Sequence, residues 1–314
     1  MNKKTIFFIL FIIILFSIFS IFISNKLISY SKLGKEISSF NIGKKQIALI
    51  NIEGEISNDL HIMELLNLYS NMKSVKAIIL RINSPGGSVG SSQEIYRQIK
   101  KVKEKGKIVI SALSDVGASG AYYIAMAANK IYSNPGTITG SIGVVINYIT
   151  AEKLFGKIGI DFITVKSGKY KDAGSFSRQT SEEDKRLFQK LINDVHEQFV
   201  NDIVESRLEQ IAAAAKIQEK DEKKRKELVK KYIMNNIADG RIITGIEAKK
   251  LGLVDEIGNI DDAIEATAAM IGISGRPLVI SEKKKTGLAS WLNSKLENFT
   301  LKNDYNILKY LMIN

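Results

Sequence analysis

The sequence RINSPGGS, residues 81–88, decides how this chain folds. It ends an apolar run rich in β-branched residues at 75–82, which predicts a buried strand, and it leads into a helix predicted at 88–105. A strand that passes through a tight turn into a helix is a building unit of α/β folds. The consecutive glycines, Gly86 and Gly87, permit backbone conformations that other residues avoid, so N–H groups in this turn can point into a cleft.

The same order of elements recurs further along the chain. A buried strand is predicted at 107–113, followed by a glycine-containing turn and a helix of small residues at 119–129. The other predicted elements are strands at 47–52, 130–133, 142–146 and 161–166 and a helix at 151–158. This alternation indicates an α/β fold with largely parallel strands and repeated strand-turn-helix units.

The character of the sequence changes beyond residue 181. A long amphipathic helix, with Leu187, Leu191 and Val195 on one face, leads into a charged stretch at 211–231, where lysines are interleaved with acidic residues. This pattern is typical of a solvated helix with ion pairs between successive turns. Together with a helix predicted at 261–270, these segments indicate a helical C-terminal part.

The ends of the chain differ from its middle. Residues 6–24 are almost wholly Ile, Leu and Phe, and as a helix they are long enough to cross the hydrocarbon core of a membrane. We predict an uncleaved transmembrane anchor, because a cleaved signal peptide has a shorter apolar core and a small-residue cleavage site. The other predicted divisions are a cytoplasmic N-terminus at 1–5, a tether at 25–45, a globular domain at 46–282, and a tail at 283–314 that is expected to form a packed or membrane-surface amphipathic helix.

Composition narrows the possible chemistry. The chain has 314 residues, a net charge of +12, no cysteine and two histidines, His61 and His196. The absence of cysteine excludes thiolate nucleophiles, disulfides and Cys-based metal sites. The positive charge is scattered and no recognition motif accompanies it, so we expect attraction to anionic lipid and no nucleic-acid partner.

The segment DVGASGAYY, residues 115–123, is the strongest candidate for a reactive site. Ser119 lies between small residues at the junction of a predicted strand and helix, where its hydroxyl is unobstructed and backbone N–H groups can bind an anion. Acyl transfer needs this combination of a nucleophile and donors for the oxyanion. The alternative is that Gly117, Ala118 and Gly120 only allow close backbone packing.

The Pro-Gly-Gly turn has three interpretations. Its N–H groups can form an oxyanion hole, they can cradle a phosphate, or the turn can have no ligand. A phosphate loop needs the spacing Gly-x-x-x-x-Gly-Lys-Ser/Thr, which residues 83–88 lack. The first and third interpretations therefore remain.

A general base for Ser119 has to be something other than histidine, because His61 and His196 are both expected to be ordinary helix residues. A lysine can serve when burial lowers its pKa toward neutrality, and Ser–Lys pairs are a known variant of the serine triad. Three lysines follow the last predicted strand, within VKSGKYKD at 165–172: Lys166, Lys169 and Lys171. Spacing does not choose among them.

Several short motifs occur in this chain, and their combination identifies a protein family more specifically than any single motif does. In order along the chain they are NSPGG at 83–87, GASG at 117–120, TGSIGV at 139–144, GKYKD at 168–172, ADGR at 238–241 and GLVD at 252–255. In order and spacing they resemble the short form of the bacterial signal peptide peptidase A family, over roughly residues 46–282. The chain departs from the family in the loop after Lys171. Family members often have a proline near the end of this loop, whereas residues 172–178 contain none. The charged stretch at 211–231 also looks longer than in short members.

The resemblance implies a fold related to Clp protease subunits and crotonases, with a Ser–Lys dyad. Ser119 would be the nucleophile, and Lys171 would be the base because of its place in Tyr-Lys-Asp. Ser141 would hydrogen-bond and orient the Lys171 amine. Family members form ring-like homo-oligomers, so the two halves of the dyad could meet across a subunit interface.

The resemblance also assigns the glycines and excludes added groups. Backbone N–H groups of Gly87 and Gly120 would form the oxyanion hole, and Gly86 would shape the turn. No cofactor and no metal would be needed.

These inferences predict a membrane-anchored serine endopeptidase. It would degrade cleaved signal peptides or other hydrophobic peptides at the bacterial cytoplasmic membrane, with the catalytic domain on the extracytoplasmic side. Two alternatives are a non-catalytic membrane scaffold of the same fold and a crotonase-like acyl-CoA enzyme. Labelling of Ser119 by an acylating, serine-directed probe would separate the protease from the acyl-CoA enzyme. The intact set of Ser119, Ser141 and Lys171 argues against the scaffold.

Overall fold

The computed structural model describes residues 45–58 and 60–282, and the backbone of residues 309–311. The predicted anchor at 6–24 lies outside these residues, as does the tether except for Lys45. Within the described ranges, no helix combines the length and the apolar character that crossing a membrane requires. All the elements below belong to one compact unit.

An eight-stranded mixed sheet forms the centre of this unit. The described residues form ten strands in all: β1 (Gln46–Glu53), β2 (Val75–Ser84), β3 (Gly86–Ser88), β4 (Ile108–Ala118), β5 (Lys130–Ser133), β6 (Ile138–Gly140), β7 (Ile242–Thr244), β8 (Glu256–Ile257), β9 (Leu278–Ser281) and β10 (Lys309–Leu311). The main path has the order β7-β6-β4-β2-β1-β9, and β5 pairs with β4 and β8. Only the β6–β7 pair within this sheet is antiparallel, while β10 and β3 form a separate antiparallel pair.

Helices cover both faces of the sheet. They are α1 (Leu60–Asn71), α2 (Val89–Glu104), α3 (Gly120–Ala125), α4 (Glu152–Lys157), α5 (Glu182–Ala214), α6 (Glu222–Asn236), α7 (Gly245–Lys250) and α8 (Ile260–Met270). In β2, Ile78 and Leu80 belong to the larger core, while Ile79 belongs to a smaller core that includes Ala263 of α8. Burial on both faces explains why β2 is a continuous apolar run.

Most of the predicted elements are confirmed, but two predicted strands are wrong. Residues 142–146 form no strand because the backbone turns at Gly140 and Ser141, whose φ angles are +77° and +50°. The strand in this region is β6, which ends before the predicted one begins. Residues 161–166 form no strand either. The side chains of Ile163 and Val165 are 91% and 94% exposed, so the apolar run that suggested a buried strand is at the surface.

Smaller corrections concern the lengths of elements. The strand β4 extends to Ala118, five residues beyond the predicted end, and α3 is shorter than the helix predicted at 119–129. The charged stretch at 211–231 is divided between the end of α5 and most of α6. In the tail, the structure describes only the backbone of residues 309–311, which forms β10, and the helix expected there stays a prediction.

A buried ion pair joins the helical part to the sheet. The helix α5 is kinked at Arg207, whose side chain is 2% exposed and donates to both carboxylate oxygens of Asp255 at 2.8 and 2.9 Å. The same guanidinium donates to the Gly252 carbonyl, and Asp255 accepts the N–H of Ile131 in β5 at 2.7 Å. The GLVD motif at 252–255 therefore attaches α5 to the sheet.

Candidate active site

Ser119 lies at the end of β4, immediately before α3, as predicted. Its backbone has φ 55° and ψ −119°, a sparsely populated combination for a residue with a side chain. The side chain is fully buried, and Oγ has no hydrogen-bond partner within the described part of the chain. Such backbone strain costs on the order of 1–3 kcal/mol and is concentrated at functional sites. Ser119 is therefore a strained residue with an unused, buried hydroxyl.

The sheet places Ser141 beside Ser119. Ala118 lies opposite Gly140 in the parallel β4–β6 pair, and the Ser119 N–H donates to the Gly140 carbonyl at 2.8 Å. Ser141 is the next residue after Gly140, is nearly buried, and has a left-handed backbone with φ 50°. Its N–H donates to the carbonyl of Arg241 at 2.8 Å, so the ADGR motif fixes the position of Ser141.

The Pro-Gly-Gly turn borders the other side of β4, where β2 ends and β3 begins. One edge of β3 is held by Ile56, whose N–H donates to the Gly86 carbonyl at 2.8 Å and whose carbonyl accepts the Ser88 N–H at 2.6 Å. The Gly86 N–H donates to Ser84 Oγ at 3.1 Å. Because neighbouring residues of a strand present their polar groups to opposite edges, the N–H and C=O of Gly87 face away from Ile56. The predicted oxyanion donor therefore lies on the edge of β3 opposite Ile56, which faces β10.

Asn83 fixes this turn to the end of β4. Its side-chain oxygen accepts the Val116 N–H at 3.1 Å, and its amide donates to Asp115 at 3.2 Å. Neither the role of Asn83 in holding this turn nor that of Ile56 in pairing with β3 was predicted from the sequence. A polar side chain at the end of an otherwise buried strand is the signal that could have identified Asn83.

The structure separates the three lysine candidates. Lys166 pairs with Asp172 at 2.7 Å, and Lys169 pairs with Glu183 at 2.7 Å. The hydrogen bond that the Lys169 amine donates to Glu183 raises the pKa of Lys169, which makes Lys169 a poorer base. Lys171 is exposed, and its amine has no hydrogen bond or ion pair within the described residues. Of these three lysines, only Lys171 has an amine without an ion-pair partner among the described residues, so only this amine is available to serve as a base.

The segment that carries Lys171 is held by Arg178 instead of by a proline. The guanidinium donates to both oxygens of Asp172 at 2.9 and 3.0 Å and to Asp184 at 2.6 Å. Hydrogen bonding from Arg178 lowers the pKa of Asp172 to about 2, and it also lowers the pKa of Asp184. Asp184 is part of the capping box that begins α5 with Ser181. The position next to Lys171 is thus tied to the start of a long helix.

Comparisons with known proteins agree with this geometry. Residues 101–232 match the family described as peptidase family S49, and residues 36–137 match the Clp protease family. A Synechocystis protein named as a candidate protease is 37% identical over 270 residues, which cover 82% of this chain and 89% of that protein. The chain belongs to peptidase family S49. The resemblance to the short form of signal peptide peptidase A is confirmed, and with it the assignment to a family of serine proteases.

Other matches of this S49 peptidase are less complete. An Enterococcus faecium protein named as a candidate signal peptide peptidase SppA is 32% identical over 225 residues, which cover 71% of this chain but 60% of that protein. The chain thus spans less than two thirds of that relative. A solved structure of a ClpP1 mutant from Listeria monocytogenes has a TM-score of 0.43 and 20% identity, covering 68% of this chain and 92% of the other. The relation to Clp proteases is confirmed by the family match at 36–137, and the relation to crotonases stays a prediction.

In this S49 chain, the Lys171 arm, residues 148–178, has a small core of its own. The rings of Phe155, Phe162 and Phe176 pack edge to face with centroids 4.7 to 5.8 Å apart. Apolar side chains nevertheless remain exposed on the arm, Ile163 at 91% and Val165 at 94% among them. Apolar side chains that are exposed to this extent are typical of a site for protein or membrane contact.

A cavity of about 890 Å³ opens beside Ser141. It is lined by the chain after Ser141, by α5 and by the segment around Arg241. His196 also lines it, with a buried Nε2 that has no hydrogen-bond partner within the described residues. His61 instead lies on the surface of α1 and pairs with Glu282 at 2.6 Å. Neither histidine forms a hydrogen bond with Ser119, as expected.

Proposed function

We propose that this S49 peptidase is an endopeptidase with Ser119 as the nucleophile and Lys171 as the general base. The observation that carries the proposal is the buried, unpaired Ser119 hydroxyl on a strained turn, with Ser141 beside it and the Pro-Gly-Gly turn at the end of the adjacent strand. A nucleophile on a tight turn, with backbone amides of the adjacent elements nearby, is the arrangement that acyl transfer needs.

The proposed mechanism has the following steps. A neutral Lys171 amine, oriented by Ser141, takes the Ser119 proton as Oγ attacks the scissile carbonyl carbon. The N–H groups of Gly87 and Gly120 hold the oxyanion. The lysine then gives its proton to the leaving amine, and an acyl-enzyme forms. Water, deprotonated by the same amine, attacks the ester and releases the second product, and Ser119 recovers its proton.

Two chains of a ring-like homo-oligomer would supply the dyad. Within one chain, no hydrogen bond joins Lys171 to Ser119 among the described residues, and Lys171 is exposed. A lysine is neutral near pH 7 only when burial disfavours its charged form. The exposed apolar surface of the Lys171 arm supports packing against a neighbour, and the cavity beside Ser141 has room for an incoming side chain.

We further propose that the substrates are cleaved signal peptides or other hydrophobic peptides. The anchor at 6–24 would hold the enzyme in the bacterial cytoplasmic membrane with the catalytic domain on the extracytoplasmic side. Support comes from the apolar run itself and from the name of the Enterococcus faecium relative. A membrane anchor would concentrate the enzyme where such peptides partition.

Subunit mixing tests both the dyad and its division between chains. Ser119→Ala and Lys171→Ala proteins are each expected to lose peptide cleavage by at least about 1,000-fold, because an acyl-transfer nucleophile or its base is missing. When the two inactive proteins are dissociated, mixed and reassembled, sites that pair an intact Ser119 with an intact Lys171 should form. Cleavage should then return to a fraction of the wild-type rate.

Lys166→Ala and Lys169→Ala are the matched controls, because they remove neighbouring lysines that are already paired. Both should retain activity within a few-fold of wild type. Near wild-type turnover by Ser119→Ala or Lys171→Ala would refute the dyad. If each single variant is inactive and mixing restores nothing, the dyad stands but lies within one subunit.

A further inference from the structure

A cluster of aromatic and polar side chains joins α3, the helix that begins directly after Ser119, to two longer helices. The ring of Tyr123, on α3, packs against the rings of Tyr96 on α2 and Phe199 on α5, with centroids 5.0 Å apart in both pairs. Tyr123 is 2% exposed, and its hydroxyl donates a hydrogen bond to the carboxylate of Asp202 on α5. A buried phenol of α3 is therefore held by an acid from the helical C-terminal part of the chain.

Tyr123 is also bonded directly to the candidate nucleophile. Its backbone N–H donates to the carbonyl of Ser119 at 2.9 Å and closes the first turn of α3. Two hydrogen bonds thus connect Asp202 to Ser119 through a single residue. Gly120, whose N–H is one of the proposed oxyanion donors, lies within the same turn.

The helix α3 needs such contacts because it is too short to hold its own position. It has six residues, and a helix of this length is stable only when it is packed against other elements. Ser119 makes no side-chain capping hydrogen bond, and its strained backbone persists only where the surrounding structure imposes it. The Tyr122 hydroxyl attaches α3 to the Leu253 carbonyl at 2.9 Å, and the Tyr123 hydroxyl attaches it to α5.

The carboxylate of Asp202 lies where its charge is disfavoured. Burial raises the pKa of Asp202 above that of an ordinary aspartate, and the nearby Glu205 acts in the same direction. The hydrogen bond from Tyr123 and the cations Lys100 and Arg97 of α2 oppose this rise. Carboxylates with a pKa perturbed by burial are concentrated at functional sites, which favours a role for Asp202 beyond filling space.

We propose that Asp202 is a positioning residue of the active site, which holds Tyr123 and through it the first turn of α3, so that the Ser119 hydroxyl and the Gly120 N–H face the substrate carbonyl. The proposal rests on the proposed function, because the position of this turn affects turnover only if Ser119 and Gly120 take part in it. A misplacement of about 1 Å at the reacting groups costs about 100-fold in rate. Loss of the hydrogen bond should therefore lower kcat, while the Michaelis constant, KM, stays within twofold of wild type.

Separate removal of the donor and of the acceptor provides the test in the full-length protein. Tyr123→Phe removes the hydroxyl and keeps the ring, Asp202→Leu removes the acceptor with a side chain of similar shape, and Asp202→Asn keeps an oxygen that can accept. We expect kcat to fall at least about tenfold in the first two variants and to stay within about threefold in Asp202→Asn. Tyr96→Phe is the matched control, because it removes a neighbouring phenol hydroxyl that bonds to Ser206 at 2.9 Å and lies outside α3. Its kcat should stay within about twofold of wild type.

The double variant Tyr123→Phe/Asp202→Leu separates positioning from a purely structural role. Asp202→Leu alone leaves the Tyr123 hydroxyl buried without its acceptor, which destabilises the fold, whereas replacement of both partners by apolar groups removes that cost. The urea midpoint of the double variant should therefore rise above that of Asp202→Leu. Its kcat should not recover, and its loss of kcat should match that of one single variant instead of the product of the two.

A readout that needs no turnover keeps the test independent of the proposed function. Amide hydrogen exchange of a fragment covering residues 117–126 is compared with that of residues 77–82 in the core strand β2, which corrects for changes in global stability. The ratio of the two rates should rise at least about fivefold in Tyr123→Phe and in Asp202→Leu. It should stay at the wild-type value in Tyr96→Phe.

The outcomes are distinct. An equal exchange ratio in all variants, or a kcat within twofold of wild type in both Tyr123→Phe and Asp202→Leu, would overturn the proposal. Recovery of kcat together with stability in the double variant, or an equal loss of kcat in Tyr96→Phe, would show a structural role only and would also overturn it. A raised exchange ratio in a protein that cleaves no peptide, or that still cleaves after Ser119→Ala, would support the attachment of α3 by Asp202 and would count against the proposed function.

Discussion

Replacement of Gly87 by alanine tests whether the Pro-Gly-Gly turn serves catalysis. Gly87 has φ +156°, and a Cβ atom there would lie 2.2 Å from the carbonyl oxygen and 2.6 Å from the nitrogen of Ile56. Real Cβ atoms do not approach backbone atoms so closely. Gly87→Ala must therefore push β3 away from Ile56 and move its own N–H.

The expected losses of stability and of activity in Gly87→Ala follow from the hydrogen bonds and the oxyanion donor that the substitution would displace. Two backbone hydrogen bonds join Ile56 to Gly86 and Ser88, and each contributes about 0.5–1.5 kcal/mol. Loss of both, together with steric strain, predicts a decrease in the free energy of unfolding of about 2–4 kcal/mol, which a domain of ordinary stability survives. Displacement of an oxyanion donor costs about 10²–10³ in kcat. We therefore expect a folded protein with at least about 100-fold lower kcat.

Gly90→Ala provides the matched control. Gly90 lies only three residues further on, in the first turn of α2, and a Cβ atom there would meet nothing within 4 Å. Peptide cleavage and urea unfolding should both stay close to wild type. If Gly87→Ala retained kcat within about threefold of wild type, Gly87 would not be an oxyanion donor, and the turn would be only a structural feature.

The remaining two predictions concern the ion pairs. Asp255→Ala leaves the guanidinium of Arg207 buried without its carboxylate, so the free energy of unfolding in urea should fall by about 3–5 kcal/mol. Arg178 lowers the pKa of both Asp172 and Asp184. The stability that these carboxylates contribute is therefore complete above their ordinary pKa of about 4, and it is lost as the pH falls toward 2, so acid should speed hydrogen exchange of residues 166–184 beyond its intrinsic pH dependence.

Each of these predictions has an internal control. Asp239→Ala removes an ion pair with Arg241 in which both side chains are about half exposed, and its effect on unfolding should stay below about 1 kcal/mol. A loss for Asp255→Ala no greater than that would contradict the structural role of the buried pair. Arg178→Met should abolish the additional acid sensitivity. An unchanged acid response in that variant would assign the response to other carboxylates.

Local sequence patterns predicted the sheet well because its strands are buried on both faces. The continuous apolar runs that form β1, β2 and β4 are typical of strands with both faces covered, and the turn after β2 needs glycines. The run at 161–166 contains Phe, Ile and Val, but burial depends on the whole fold and not on six residues. A short apolar segment that is exposed has the same local pattern as one that is buried.

The site was only partly predictable from sequence, because some of its features depend on neighbouring residues and others on contacts that form only in the folded chain. Ser119 was found because a reactive serine needs small neighbours, which are adjacent in sequence. The choice of Lys171 rested on family resemblance, since the ion pair between Lys169 and Glu183 and the one between Lys166 and Asp172 arise from folding of the loop. Pairing of the tail with β3 joins residues more than 200 positions apart, and no local pattern announces such a contact.

The proposed division of the dyad between chains has an energetic basis. A lysine with an ordinary pKa near 10.4 must lose about 3.4 pKa units to be half neutral at pH 7, which corresponds to about 4.6 kcal/mol of desolvation. Lys171 is exposed in one chain, and in the proposed assembly the packing of the apolar arm against a neighbour would supply this desolvation. We infer that assembly itself creates the base. An unassembled chain would then hold a nucleophile without a base.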